Sequence, residues 1–496
     1  DGHVLQYSSS SGGIVLAASG GGGASDLNGL SDCLVNANGN QFIGNVPSSV
    51  TSTAYDNVSL GLAALNAITT GDYNTSIGRL SLNTNSTASN NSAFGYGALQ
   101  HSNSAGSAGF GFKAGWLATA SNSAYLGFES GRSNTAASHV SIGYSAGYSN
   151  TSGFGNTNLG YRAGYSNTTG GDSVNIGYDA GYTATGSQNT TVGRGAFGGG
   201  FGHNGIGNVA MGYLALQSPS GSSNYNIAIG SEALKGFGTK SNNVAVGFKA
   251  GTAVTTGGDN TLMGYEAGGY VTTTGDNTFI GYRAGKGKTS GTVSGASNVA
   301  IGSDCFTTMI SASNNVVIGY RTLGGVGEQT GNNNTFVGNS IYFNAYFSGS
   351  NTTSLGNGAN PSAQNVSNEI TLGNSSIATL RCQQTSITSL SDQRDKKDIE
   401  TIPYGLDFVN SLKPKKFVWD NRAETDGEGN EFFSNNKGKK DVGFIAQELQ
   451  TVDDDYLNLV YDSNPEKLEA TYGRLIPVLV KAIQELSAKV TALENA

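Results

Sequence analysis

One short unit recurs through most of this 496-residue chain and limits what it can fold into. The unit reads Asn-x-x-apolar-Gly-aromatic-x-Ala-Gly/Leu. Clear copies are Asn260-Thr-Leu-Met-Gly264-Tyr-Glu-Ala-Gly268 and Asn277-Thr-Phe-Ile-Gly281-Tyr-Arg-Ala-Gly285. The key glycine falls at 44, 61, 78, 95, 111, 127, 143, 160, 177, 193, 212, 230, 247, 264, 281, 302, 319, 338, 356 and 373, twenty copies with most steps of 16 to 18 residues. A unit this small cannot bury its apolar face alone, so the copies must stack.

The unit is β. Its apolar runs are four or five residues long, rich in Val and Ile, and bounded by Asn, Gly, Ser and Thr. The glycine content and the absence of a 3.6-residue period exclude helix. About seventeen residues suit one coil of two short strands and two turns, with the Asn-rich starts and Ala-Gly ends at the corners. Twenty coils at about 4.8 Å each predict a rod about 95 Å long.

In-register stacking makes columns. Two residues after the key glycine the chain reads Lys113, Glu129, Ser145, Arg162, Asp179, Gly195, Leu214, Glu232, Lys249, Glu266, Arg283, Asp304 and Arg321. Wherever neighbouring coils are both charged at this position the signs are opposite, in seven pairs of seven. This predicts an exposed charge ladder that specifies register, each link contributing little. One residue after the glycine the side chain is often aromatic, as at Tyr96, Phe112, Phe128, Tyr144, Tyr161 and Tyr178. Such a column suits packing against a neighbouring strand or chain, or binding of sugar.

At residue 391 the chemistry changes. Residues 1–390 carry 28 charged side chains and 69 glycines, whereas residues 391–496 carry 34 and 6. That step marks a domain boundary. The chain divides into a Gly/Ser-rich leading segment (1–35), a repetitive shaft (36–380), a junction (381–390) and a terminal α+β domain (391–496). The terminal domain closes on a helix from Leu475, in which Ile476, Leu479, Ile483, Leu486, Val490 and Leu493 are spaced 3, 4, 3, 4, 3. This is an a/d seam for a coiled coil. At the boundary, Ser391 and Lys396 offer a hydroxyl and an amine that, when neutral, can deprotonate it.

The flanking residues sharpen that pair. Ser391-Asp-Gln-Arg-Asp-Lys396-Lys-Asp-Ile399 is followed by Gly405-Leu406, Leu412-Lys-Pro414, Phe417-Val-Trp419, Gly443-Phe-Ile-Ala-Gln-Glu448, Tyr472-Gly473 and Ala482-Ile-Gln-Glu-Leu486. This run resembles the intramolecular chaperone auto-processing family (peptidase S74), which ends phage tail fibres, tailspikes and endosialidases. The resemblance implies scission between Leu390 and Ser391, with Ser391 as nucleophile and Lys396 as base, in a single turnover directed at the chain itself. Asp395, beside Lys396, is a peculiarity that would favour the ammonium and slow the chemistry. The shaft, at Asn243-Val-Ala-Val-Gly247 and Asn298-Val-Ala-Ile-Gly302, resembles the head repeat of trimeric autotransporter adhesins, though its period is longer.

These resemblances imply a mainly β homotrimeric fibre of stacked β-roll or β-helix repeats, ending in a chaperone that drives trimerisation. They imply residence in a virion after assembly in the host cytoplasm, an upstream tail or baseplate component, and a host-surface glycan or protein receptor. A bacterial trimeric surface adhesin and a glycan-degrading tailspike are the alternatives; the second needs two carboxylates around one bond, and no Asp/Glu cluster stands out.

Other functions find little support. Net charge is −8 and neither half is basic, so nucleic acid is not an expected partner. Cys33, Cys305 and Cys382 lack metal spacing and read as semi-buried thiols, and the four histidines form no metal motif, so no metal or cofactor is expected. No apolar run approaches a membrane span. Gly193-Arg-Gly-Ala-Phe-Gly198 fits a dinucleotide fingerprint but sits inside the repeat, without a βαβ context. Residue 1 is Asp, and no signal peptide is visible, so the chain reads as a piece of something longer.

Overall fold

The computed structural model describes residues 3–8, 13–18, 33–44, 46–199, 203–217, 221–236, 238–288, 293–325, 327–377, 379–381, 383, 391–420, 424–425, 431–432, 437–462, 465 and 468–496. The chain forms two compact units, Asp1–Ala312 and Ser313–Ala496.

In the first unit, β1 (His3–Ser8) pairs antiparallel with β2 (Gly13–Ala18), within the Gly/Ser-rich leading segment. The Gly20–Gly23 run lies outside the described residues. The shaft opens with β3 (Cys33–Val35) antiparallel to β4 (Gln41–Ile43). From β4 to β19 (Val299–Ile301) each three-residue strand pairs in parallel with its chain neighbours, as in Ala245↔Leu262 and Leu262↔Phe279. The second unit holds β20 (Val316–Ile318) to β23 (Ile370–Leu372), paired in parallel with one another. The twenty strands β4 to β23 each end one residue before one of the twenty key glycines. The result is a mainly β solenoid.

Each coil holds one regular strand, not the two expected. A second parallel contact survives as isolated bridges, such as Val271↔Val293 and Gln329↔Phe347. The reason lies in the backbone beyond the glycine. The residues two and four positions on are left-handed, as at Glu232 (φ 59°) and Leu234 (φ 48°), and a strand cannot run through such positions. The key glycine is itself required. Gly111 has φ 139°, and a Cβ there would lie 2.5 Å from the carbonyl oxygen of Gly127 in the next coil.

The core exchanges volume between two positions. In several coils with a small strand centre, a large residue fills the interior from four positions past the glycine, as in Ala93 with Leu99 and Ala228 with Leu234. In several coils with a large centre, such as those of Tyr125, Leu262 and Phe279, the later position is glycine. Phe279 is fully buried, and a Cβ on Gly285 would collide with its ring.

The repeat's asparagines, expected at the corners, face inward there. They are buried and hydrogen-bond from coil to coil. The amide N–H and the Nδ2 of Asn57 both donate to Oδ1 of Asn40, at 3.0 and 2.9 Å, and Asn74 does the same to Asn57 at 3.0 Å each. The pattern recurs at Asn243, Asn260 and Asn277. Each oxygen satisfies a backbone donor that the turn would otherwise bury unpaired. Ser107, Ser123 and His139 interrupt this row. The Ser107 amide still finds Asn91 Oδ1 at 2.9 Å, and the His139 amide finds Ser123 Oγ at 3.1 Å.

Beyond the solenoid, the second unit contains α1 (Leu406–Ser411), β24 (Lys415–Val418), β25 (Glu424–Thr425), β26 (Glu431–Phe432), β27 (Lys440–Gly443), α2 (Ala446–Gln450), β28 (Val460–Tyr461), β29 (Glu469–Ala470) and α3 (Leu475–Glu494). The antiparallel pairs are β24–β27, β25–β26 and β28–β29. A small core gathers Leu449, Leu457, Leu459, Leu475 and Val478, with Phe408, Val409 and Phe444 packed against it. α3 therefore has two apolar faces. Leu475, Val478 and Ala482 are buried in the domain, whereas the a/d seam residues Ile476, Leu479, Ile483, Leu486, Val490 and Leu493 are 44–78% exposed. Glu485 ties the helix to α1 by accepting the Leu406 amide at 2.8 Å.

Candidate functional site

The residues from Ser391 to Lys396 form one tight turn. Asp392 caps a short 3-10 segment, Gln393–Asp395, by accepting the Arg394 amide at 2.8 Å. Its carboxylate also takes the Arg394 guanidinium at 2.7 Å, which holds the Asp392 carboxyl below its usual range. The Lys396 amide donates to the Gln393 carbonyl at 3.1 Å, and the backbone then turns extended. The Asp392–Arg394 clamp thus fixes the reversal that a five-residue separation needs before its two ends can meet.

They do meet. Lys396 Nζ donates to Ser391 Oγ at 2.6 Å and to the Ser391 carbonyl at 3.3 Å. A hydroxyl and an amine at this distance are within reach of proton transfer. Direction matters, however. An amine can accept the hydroxyl proton only when neutral, and proteins obtain neutral lysines by burial. Ser391 and Lys396 are both exposed in the single chain. Among the described residues no ion pair joins Asp395 to Lys396; the paired carboxylate in this turn is Asp392. Leu390 lies outside the described residues.

Other motif residues of the terminal domain meet one another. The Tyr472 hydroxyl accepts the Phe444 amide at 3.2 Å, and a Cβ on Gly443 would sit 2.6 Å from that hydroxyl. The conformation of the Gly443-Phe444 backbone is thus coupled to Tyr472.

On the shaft, the charged column is divided among several partners. Arg162 and Asp179 pair across coils at 2.8 Å, and Arg283 and Asp304 approach to 3.6 Å. Glu232 instead meets Lys235 at 3.6 Å, Glu266 meets Lys286 at 2.6 Å, and Glu129 meets Arg132 at 3.5 Å. Lys249 lies over the Phe248 ring, and Arg321 over Tyr320 and Phe343. The competing cations share one place, five residues past the key glycine. The sequence reading did not single out this column, although Arg132, Lys235 and Lys286 recur there.

The aromatic residues stack on one another. Tyr96, Phe112, Phe128, Tyr144, Tyr161 and Tyr178 form a continuous pile with centroids 4.8–5.3 Å apart. Arg194 continues it, its guanidinium set between Tyr178 and Tyr213. Ring faces inside the pile are therefore taken, and only edges meet solvent. The third residue of each strand adds a parallel exposed row, in which Leu126, Leu159, Met211, Ile229, Met263 and Ile280 are 37–50% exposed. Cys33 and Cys305 are buried, and Cys382 lies outside the described residues.

Residues 391–458 match the Peptidase_S74 family model, described as chaperone of endosialidase, and the match begins at Ser391. No curated protein matches the chain at a significant level. The chain thus joins a β-solenoid shaft to a C-terminal domain of the endosialidase-chaperone type.

Proposed function

We propose that this chain is a homotrimeric phage tail-fibre or tailspike-like adhesion protein whose C-terminal domain assembles the trimer and then cuts itself off before Ser391. The observation that carries this reading is the 2.6 Å approach of Lys396 Nζ to Ser391 Oγ, at the first residue of the family match. Ser391 Oγ attacks the Leu390 carbonyl carbon and Lys396 takes the hydroxyl proton. The peptide C–N bond breaks, the amine of residue 391 leaves with a proton, and water hydrolyses the resulting ester. Residues 1–390 and 391–496 are the products.

Two exposed apolar surfaces support self-association. The α3 seam is one, and the strand row with its aromatic pile along the solenoid is the other. Stripes of this length are rarely left to water, and three copies around an axis would cover both. Covering the turn at 391–396 would also desolvate Lys396, so that assembly switches the base on. A host-surface glycan or protein is the receptor for the assembled shaft.

The mass of the expressed product tests the reading. Wild type should give pieces of residues 1–390 and 391–496, while Ser391→Ala stays intact and still assembles. An intact wild-type trimer, or cutting by Ser391→Ala, overturns it.

A further inference from the structure

Glu369 stands immediately before β23, the last strand of the solenoid. Its carboxylate is half-buried and receives four hydrogen bonds. Oε1 accepts the Ser362 amide at 2.9 Å and the Thr371 hydroxyl at 2.8 Å; Oε2 accepts the Ser362 hydroxyl and the Tyr461 hydroxyl, the latter at 2.7 Å. Burial alone would raise this carboxyl, but the donors from Ser362, Tyr461 and Thr371 outweigh it and hold the group below its ordinary range. Four donors fill the four lone-pair positions of a carboxylate, so the charge is stabilised without a cation.

Three of these donors come from the shaft's own end. The fourth does not. Tyr461 belongs to β28, on the far side of Ser391 and three residues beyond the end of the family match. Its strand is held in place independently, since Asp453 accepts the Leu459 and Val460 amides at 2.8 and 2.9 Å. A firmly seated phenol thus reaches across the expected cut to a carboxylate that is already three-quarters satisfied.

We propose that Glu369 is a docking site for the C-terminal piece, retaining residues 391–496 on the end of the shaft through Tyr461 after the chain is cut. The inference rests on the self-cleavage reading for its timing, and on the hydrogen bonds alone for its chemistry. Scission removes the covalent tie, and release then waits on this contact. Its partner is a second part of the same chain, recognised by the phenol's hydrogen bond to the Glu369 carboxylate, with Ser362 Oγ also 3.2 Å from the phenol oxygen.

The test uses the full chain. Denaturing gels report scission, and native size-exclusion reports how much of the 391–496 piece stays with the shaft. Wild type should keep the piece after cutting. Tyr461→Phe and Glu369→Ala should each lose it about tenfold faster, as expected for a hydrogen bond to a charged group. The double variant should lose it no faster than either single one, because both changes remove one interaction. Immediate loss of the wild-type piece, or additive effects of the two changes, overturns the proposal. A parallel arm uses the uncut Ser391→Ala chain. There, the Glu369 carboxyl should titrate at higher pH in Tyr461→Phe than in the parent chain, because one of its donors is gone, and an unchanged titration also overturns the proposal. A wild type that is never cut counts against self-cleavage, while this second arm still decides the role of Glu369.

Discussion

Arg162 and Asp179, one coil apart, share two parallel hydrogen bonds, from Nε to Oδ1 at 2.9 Å and from Nη2 to Oδ2 at 2.8 Å. Their α-carbons are placed by the ladder, since the Asp179 amide donates to Tyr161 just as the Arg162 amide donates to Tyr144. A paired fork of this kind is the strongest geometry an exposed ion pair can adopt. Asp179→Asn should lower shaft stability by about 0.5–1 kcal/mol at low salt, with the loss shrinking as salt is raised. Denaturant unfolding at two ionic strengths checks this, and an equal loss at both would argue against the pair.

His139 occupies a place in the buried row where most coils have asparagine. Burial lowers its pKa below the ordinary 6.5, with hydrogen bonds to the Gly153 and Asn156 backbone opposing. The unfolded chain therefore takes up a proton before the folded chain does. Stability contributed by the neutral ring is present above pH 6.5 and is lost as pH falls below it. His139→Asn should flatten the acid side of the shaft's stability profile while leaving stability near pH 8 within about 1 kcal/mol. Thermal midpoints measured from pH 4 to 8 would show it.

Lys240 is buried inside a coil, with Nζ donating to the carbonyls of Gly236 and Val254. Burial lowers its pKa from 10.5 to about 7. Between these values the unfolded state binds a proton that the folded state does not, so stability rises with pH across that window and the full penalty applies below pH 7. Lys240→Met should stabilise the shaft by about 3 kcal/mol at pH 7, after allowing for the donor those carbonyls lose. The gain should fade as pH approaches 10.5. A gain that persists there would show that the lysine's charge is not the cause.

Lys396→Arg keeps a cation near Ser391 but replaces an amine that can become neutral with a guanidinium that cannot. It should leave an uncut chain that assembles normally, which mass and sedimentation together would establish. Cutting at the wild-type rate would remove Lys396 from the role of base.

Ile483 lies on the exposed seam of α3, 65% accessible and away from the domain core. Ile483→Asp should leave the fold of residues 391–496 intact, block trimer formation and stop cutting although Ser391 and Lys396 are unchanged. Circular dichroism, sedimentation and product mass report the three outcomes. Efficient cutting by a monomeric variant would exclude assembly as the trigger.

Much of this architecture could be read from the chain because a solenoid is nearly one-dimensional. Contacts recur at the period, so finding Gly44 to Gly373 at regular steps locates all twenty strands. The meeting of Ser391 with Lys396 was legible for a similar reason: the two are five residues apart in a turn capped by its own Asp392. The α3 seam showed in its 3,4 spacing. What the period could not reveal was direction. The same Asn pattern suits a solvent-facing corner or an inward hydrogen-bonding row, and only the stacked backbone, with amides one coil away awaiting an acceptor, turned the asparagines inward. Left-handed residues after most of the key glycines removed the second strand, a constraint that sequence motifs do not display.

Partner choice likewise belonged to the tertiary structure. Alternating signs along the chain identified a charged column, yet Glu266 reaches Lys286 and Glu232 reaches Lys235, because a side chain pairs with whichever cation its exit angle meets. Contacts with no periodic or local spacing stayed hidden altogether. Leu406 with Glu485 and Glu369 with Tyr461 lie 79 and 92 residues apart. The repeat, the strand positions, the change of chemistry at Ser391 and the apolar seam were readable in the amino acids alone, since each depends on short or regular separations. The folded chain decided which faces are inside, which charges pair and what holds the terminal domain to the last coil, since each depends on where a side chain points once the backbone has stacked.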